Sequence, residues 1–339
     1  ASFLGYDFSL EAIRAVTGFE ESKLLELLES ILKTGLIKER AVHGEVAYSF
    51  ADPVVRDVVH EEVSLSKHGR THQVVGCALE AVFAQKIGDH LAELAYHFLE
   101  GNDKDRAVGY FLKAGERAVK LYARGEASTY FQSALSLLEE MESDPDQRGY
   151  VLENLGDAKE ALGDHDVSMK RWNEALSIWK KLEEKEKAAG IHRKMAKVLF
   201  YMVDDKKKAE EHCQEALSLL EALPESVELA SLHSDRAWMQ WYVGDYDTAR
   251  SSAERAIEIA AKLDAKDIVA ESYRKLGVIV RPRDAKKGIE YAEKALKLAL
   301  DNNFPEVAVE AYNGLALSLP FRKWREPLEK GYELARKVG

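Results

Sequence analysis

His68 and His72 stand four residues apart in SKHGRTHQVVGCALEAVF, so on a helix both imidazoles share one face, the spacing of two ligands in a helical zinc site. No HExxH sequence and no nearby cysteine pair accompany them, and the expectation is a solvated helix face without metal. Cys77 and Cys213 lack CxxC spacing and are too few for a disulfide framework, which fits a reducing compartment and a cytoplasmic location. With 59 Asp and Glu, neighbouring carboxylates arise by chance on exposed helix faces, and no set of them makes a hydrolase constellation. The chain is expected not to be an enzyme, with no catalytic residue and no metal or cofactor of its own.

Charge narrows the partners. The 48 Lys and Arg against 59 Asp and Glu leave a net −11 over 339 residues, which gives no broad attraction for nucleic acid or an anionic membrane. No stretch approaches the ~18 to 20 uncharged apolar residues of a membrane span, and no basic region followed by an apolar one opens the chain. It begins Ala1-Ser2-Phe3-Leu4 without Met, and is expected to be a piece cut from something longer. With 46% apolar residues the chain can bury a core, and its length predicts two or three domains. High charge (32%) with six Asn and six Gln leads to the expectation of a heat-adapted source.

The elements that must carry any site recur. One amphipathic block appears five times, as YFQSALSLLEE, RWNEALSIWKK, HCQEALSLLEA, SAERAIEIAAK and YAEKALKLALD, centred on Ala134, Ala175, Ala216, Ala256 and Ala295 at intervals of 41, 41, 40 and 39 residues. Four of these blocks follow a second amphipathic helix with a small residue near its middle: Gly156, Ala196, Ala237 and Gly277. Small residues at both points let two helices cross at ~8 to 10 Å without a side chain forcing them apart. Prolines 145, 224 and 305 fall between pairs, and Pro327 is expected near a helix start, where its missing N–H costs little.

This pattern resembles the tetratricopeptide repeat family, in which small residues recur at fixed positions of a helix pair. Gly156, Ser168, Trp172 and Ala175 fit it, as do Ala237, Ala249, Ala253 and Ala256. Ala196 to Ala209 is one residue long, Gly277 to Gly288 one short, and the period of about forty exceeds the usual ~34, which implies longer helices. Weaker units run through Ala95, Ala107, Phe111 and Ala114, then through Gly115, Ala127, Phe131 and Ala134. The resemblance implies a concave face lined by the first helix of each pair, and so a ligand-binding set of Arg193, Lys197, Ser234, Trp238, Trp241, Arg274, Arg281 and Asn313. An aromatic platform beside guanidinium groups suits a sugar, a nucleotide-like or anionic ligand, or an acidic peptide. Alternatively the two tryptophans pack between repeats. Trp172 and Trp179, seven apart in a second helix, are expected in the core.

Residues 1 to 60 lack the period and read helix (SLEAIRAVTG), helix (ESKLLELLESILKTG), hairpin (LIKER and VAYSF, turning at His43-Gly44), helix (DPVVRDVVHEEV), the order of a winged helix. Residues 1 to 70 carry eight Lys and Arg against twelve Asp and Glu, and the second helix presents Glu20, Glu21, Glu26 and Glu29, so direct DNA binding is not expected.

The succession FLGYDFSLEAIRAVTGFEESKLLELLESILKTGLIKE, YSFADPVVRDVVHEEV, SKHGRTHQVVGCALEAVFA and HLAELAYHFLEGNDKDRAVGYFLKAGERA resembles the segment after the nucleotide-binding core of STAND proteins, the signal-transduction ATPases with numerous domains. That resemblance implies a winged-helix domain (1–64), a helical arm (65–120) and a superhelical tetratricopeptide sensor (121–339). The implied fold is mainly α, a winged helix followed by an α-α superhelix. It also implies an inducer, small molecule or protein, that controls nucleotide-dependent switching and oligomerisation of a longer parent. ATP or ADP belongs only to the parent's own upstream core, since no GxxxxGK followed by Ser or Thr occurs in this sequence. Phe50 is followed by Ala51 and Asp52 where family members often carry a His, so contact with the phosphate of ADP is not expected. A constitutive scaffold holding a partner peptide is the alternative.

Overall fold

A computed structural model describes residues 1–42, 45–141, 144–319 and 323–338. The expected turn at His43-Gly44 lies outside them. The chain divides into two compact units, Ala1–Leu162 and Gly163–Gly339.

The first unit opens with a short turn of 3-10 helix (Ser2–Leu4), β1 (Asp7–Ser9), α1 (Leu10–Thr17), α2 (Glu21–Thr34), β2 (Ile37–Val42), β3 (Glu45–Phe50) and α3 (Pro53–Glu61). Local chemistry sets these limits. The Ser9 hydroxyl accepts from the Ala12 N–H at the start of α1, and Asp52 caps α3 just before Pro53, whose missing N–H is harmless in a first turn. Gly35 ends α2 at φ 74°, a left-handed conformation that favours glycine. The helices and hairpin fall where the sequence puts them. The addition is β1, which pairs antiparallel with β3 and makes a three-stranded sheet in the order β1-β3-β2. Three residues with one buried side chain, Phe8, are too short a run for alternation to register.

Helices follow: α4 (Leu65–Val82), α5 (Leu91–Glu100), α6 (Lys104–Lys120), α7 (Arg124–Glu140) and α8 (Pro145–Ala161). Helix α6 packs on both α5 and α7, so it closes one helix pair and opens the next, as the adjacent Ala114 and Gly115 require.

The second unit holds α9 (His165–Lys181), α10 (Lys185–Tyr201), α11 (Lys206–Glu221), α12 (Val227–Tyr242), α13 (Tyr246–Lys262), α14 (Lys266–Val280), α15 (Ala285–Asp301), α16 (Pro305–Ser318) and α17 (Arg325–Val338). The main pairings are α10 with α11, α12 with α13 and α14 with α15, the antiparallel hairpins of an α-α superhelix. Ala175, Ala196, Ala216, Ala237, Ala256 and Ala295 are all fully buried. Gly277 and Gly288 mark the tightest crossing: a Cβ on either would lie 3.0 Å from the carbonyl oxygen of the other. The long period is taken up by helices of 15 to 17 residues in α10 to α15. Both departures from the repeat spacing fall at turns. The extra residue after Ala196 lengthens the loop between α10 and α11, and the deficit after Gly277 comes from α14 ending early. Trp172 and Trp179 lie in the core, 2% and 1% exposed. Pro327 sits in the first turn of α17.

Candidate functional site

Five of the eight residues expected to bind a ligand come together on the first helices of successive pairs, α10, α12 and α14. Arg193 of α10 crosses to α12, with Nε and Nη2 donating to the Glu228 carboxylate at 2.5 and 3.2 Å and Nη1 to Oδ2 of Asp235 at 2.9 Å. From the other side, Lys275 of α14 donates to Oδ1 of Asp235 at 3.1 Å and to the hydroxyl and carbonyl of Ser234 at 3.1 and 3.2 Å. Arg274, one residue earlier, forks onto Glu271 at 2.7 and 2.8 Å and lies over the Trp238 ring, 5.1 Å from its centroid. Trp238 stacks on Trp241 at 4.6 Å with 17° between the ring planes.

Charge in this network is locked in. Burial alone would raise the Asp235 carboxyl, but Lys275, Lys197 and Arg193 override it and hold it below the usual carboxylate range. Burial would lower Arg193, and Asp235 and Glu228 instead raise it. Glu271 is likewise held down, its desolvation outweighed by Arg274 and Lys275. A buried cation is tolerated when carboxylates meet it at hydrogen-bond distance, and here each cation of the network has one.

Lys197, Arg281 and Asn313 are placed differently. Lys197 is exposed and acts on Asp235 through its charge. Trp241 also packs against a buried cluster of Ala237, Ala249, Ala253, Leu276, Ile279 and Val280, so it serves the joint between repeats as well as the Trp238 platform. Arg281 caps the end of α14, and its Cβ borders Gly288. Asn313 is half-buried on α16. Among the described residues no bond joins Arg281 or Asn313 to the network. A cavity of about 80 Å³ lined by Tyr246, Arg250, Ile279, Val280, Arg283, Asp284, Lys287 and Tyr291 shares no residue with it.

The residues missed are the counter-charges, Glu228, Asp235, Glu271 and Lys275. A signal for two of them was available. The position two before the central small residue reads Lys194, Asp235, Lys275 in three successive repeats, an alternation of sign on faces that adjoin.

The first unit holds a second cluster, and here the reading of a solvated face is overturned for His72. It is 2% exposed, and Phe3 explains why: its ring packs against His60, His68 and His72 at centroid distances of 4.3, 5.0 and 4.8 Å. His72 also meets the buried His97 of α5, Nδ1 to Nδ1 at 2.9 Å. Burial brings the imidazole pKa values of His72 and His97 down to about 4.

Residues 187–262, spanning α10 to α13, match the family described as Tetratricopeptide repeat. No curated protein matches the chain by sequence. Among solved structures, a Signal Transduction ATPase with Numerous Domains (STAND) protein with a tetratricopeptide repeat sensor from Pyrococcus horikoshii is similar at 18% identity and a TM-score of 0.54. That match covers 99% of this chain and 48% of the other, so the chain spans about half of that protein's length. Aspartyl phosphate phosphatase F from Bacillus subtilis is similar at 10% identity and a TM-score of 0.59, covering 96% and 81% of the two chains. A Rap protein complexed with competence and sporulation factor gives 16% identity and a TM-score of 0.55, covering 96% and 87%. No helix among the described residues is long and apolar enough to cross a membrane. What these proteins share with this chain is a fold, the α-α superhelix of tetratricopeptide-like helix pairs.

Proposed function

We propose that this chain is the regulatory portion of a STAND-type signal-transduction ATPase, with a winged helix at 1–64, an arm at 65–120 and a sensor at 121–339. The inducer binds the face carrying Trp238, Trp241, Arg274 and Lys197. One observation carries this reading: the ion pairs of that face run from helix to helix across three successive repeats. A charged or hydrogen-bonding ligand that takes over Arg193, Asp235 or Lys275 exchanges a contact between repeats for a contact with itself. Its affinity therefore depends on how the repeats are spaced, and the repeat spacing depends on it, which is the differential affinity a switch needs.

The likeness to the STAND structure along nearly the whole chain supports the same reading. So does the N-terminal region, where Leu25, Leu27 and Ile31 of α2 and Val54 and Val58 of α3 are exposed apolar side chains of the kind that would meet an upstream ATPase core. Glu21, Glu26 and Glu29 are exposed on α2 as well, which disfavours a role on DNA.

The test is nucleotide exchange by the intact parent, with and without its repeats. The reading requires that deletion, or Trp238→Ala with Arg274→Ala, uncouple exchange from the inducer; identical exchange in all forms overturns it. A partner captured by the wild-type chain and lost on those substitutions, with no effect on exchange, would favour the scaffold. The likeness to a Rap protein solved with a bound factor keeps that second reading in view.

A further inference from the structure

His60 of α3 and His68 and His72 of α4 bring one ring nitrogen each within 4.8 Å of the other two. The hydrogen bonds around them have a common logic. His68 donates from Nε2 to the His60 carbonyl at 3.2 Å, which leaves its Nδ1. His72 uses Nδ1 against His97, and its Nε2 is buried without a partner. His60 is hydrogen-bonded to the backbone of Ser2, and its Nδ1 is buried without a partner. Each ring is thus oriented through one nitrogen and offers the other.

A buried ring nitrogen without a partner is costly, and two of them in one small cluster call for a third party. Water would satisfy one or two. A divalent cation satisfies all three, and a metal-bound histidine characteristically has its second nitrogen held by a carbonyl or another acceptor. His97 stands in that position behind His72. Phe3 packs against all three rings and holds them together.

We propose that His60, His68 and His72 form a site for a borderline divalent transition-metal ion of the zinc class, with His97 as a positioning residue. Three imidazoles suit zinc and its neighbours better than magnesium or calcium, which prefer oxygen. Zn–N bonds of ~2.0 to 2.1 Å put tetrahedral nitrogens ~3.4 Å apart, so ring rotations need close the cluster by no more than ~1.4 Å. The fourth position goes to solvent. Because α3 belongs to the sheet-bearing N-terminal segment and α4 begins the helices that follow, the ion pins the two together within the first unit. This inference is independent of the ligand face proposed for the second unit.

The experiment takes the full chain, without an affinity tag and stripped by chelator, and titrates it with Co²⁺ alone and then Zn²⁺ alone. One equivalent of Co²⁺ is expected to give the visible absorption of nitrogen-coordinated cobalt, Zn²⁺ to abolish it, and either ion to raise the melting temperature. His60→Gln with His68→Gln should weaken binding by more than ~10-fold, and His97→Phe by ~10- to 100-fold. Cys77→Ser and His212→Gln should leave it unchanged. Imidazole ¹⁵N resonances of the wild-type chain provide a readout that needs no variant to fold: those of His60, His68 and His72 should shift together on adding Zn²⁺. Absence of stoichiometric binding, binding undiminished in the double variant, or shifts confined to His192 and His212 would overturn the site.

Discussion

Asp235 on α12 divides its two oxygens between neighbouring repeats, Oδ2 to Arg193 of α10 at 2.9 Å and Oδ1 to Lys275 of α14 at 3.1 Å. One carboxylate therefore joins three first helices. Asp235→Asn keeps the shape and removes the charge, leaving Arg193 with Glu228 alone and Lys275 with Glu271 and Ser234. Each cation keeps one carboxylate and loses a charge-assisted hydrogen bond in a half-buried site, which costs ~1.5 to 3 kcal/mol. Urea unfolding should show that loss, whereas Glu326→Gln, which breaks an exposed pair with Lys330, should leave the midpoint in place.

Two glycines six residues apart on α6 should respond to alanine with opposite sign. A Cβ at Gly115 would lie 2.7 Å from Cε1 of Phe131, a ring that is fully buried and has nowhere to move. Overpacking of this kind costs ~1 to 3 kcal/mol. At Gly109 nothing lies within 4 Å, so Gly109→Ala only restricts the unfolded chain and should stabilise by ~0.5 to 1 kcal/mol. Melting temperatures of the two variants, one below and one above the wild type, check the pair.

Aspartates at the turns of the second unit differ in what they do. Asp245 accepts from the Thr248 N–H at the start of α13, whereas Asp164 makes no such bond at the start of α9. Asp245→Ala should cost ~1 kcal/mol, the usual value of a lost N-cap, and Asp164→Ala much less. Chemical denaturation of both distinguishes them.

The repeat was legible because a helix crossing tolerates only small residues, and Ala196, Ala216, Ala237 and Ala256 recur at a spacing that nothing else explains. The helices of the N-terminal segment were legible from caps such as Asp52-Pro53 and stops such as Gly35. The proposed ligand face was legible by half. Repeat position places Trp238 and Arg274 on one face, but whether a cation such as Arg193 is open or closed depends on its partner on another helix, and Glu228, 35 residues after Arg193, is invisible to any local pattern. His60 was missed for the same reason. It meets His68 and His72 across the turn between α3 and α4, and Phe3, near the start of the chain, packs against all three rings.

His192 and His212 face each other across α10 and α11, Nδ1 to Nδ1 at 2.8 Å, so one ring donates and the other accepts. Burial first, then the charges of His212 and Lys180, lower His192 from 6.5 to about 4. A base whose folded pKa lies below its unfolded value binds fewer protons when folded, so stability is lost as pH falls through the interval from 6.5 to about 4 and levels off below it. At ~1.4 kcal/mol per pKa unit, the loss from this histidine reaches ~3 kcal/mol. His192→Gln removes this ring's titration and leaves that of His212, which burial also lowers. The difference in unfolding free energy between wild type and variant should be flat above pH 7 and should shift in favour of the variant as pH falls toward 4. A difference that stays constant from neutral pH down to 4 would mean that the His192 ring takes up its proton in the folded chain without penalty.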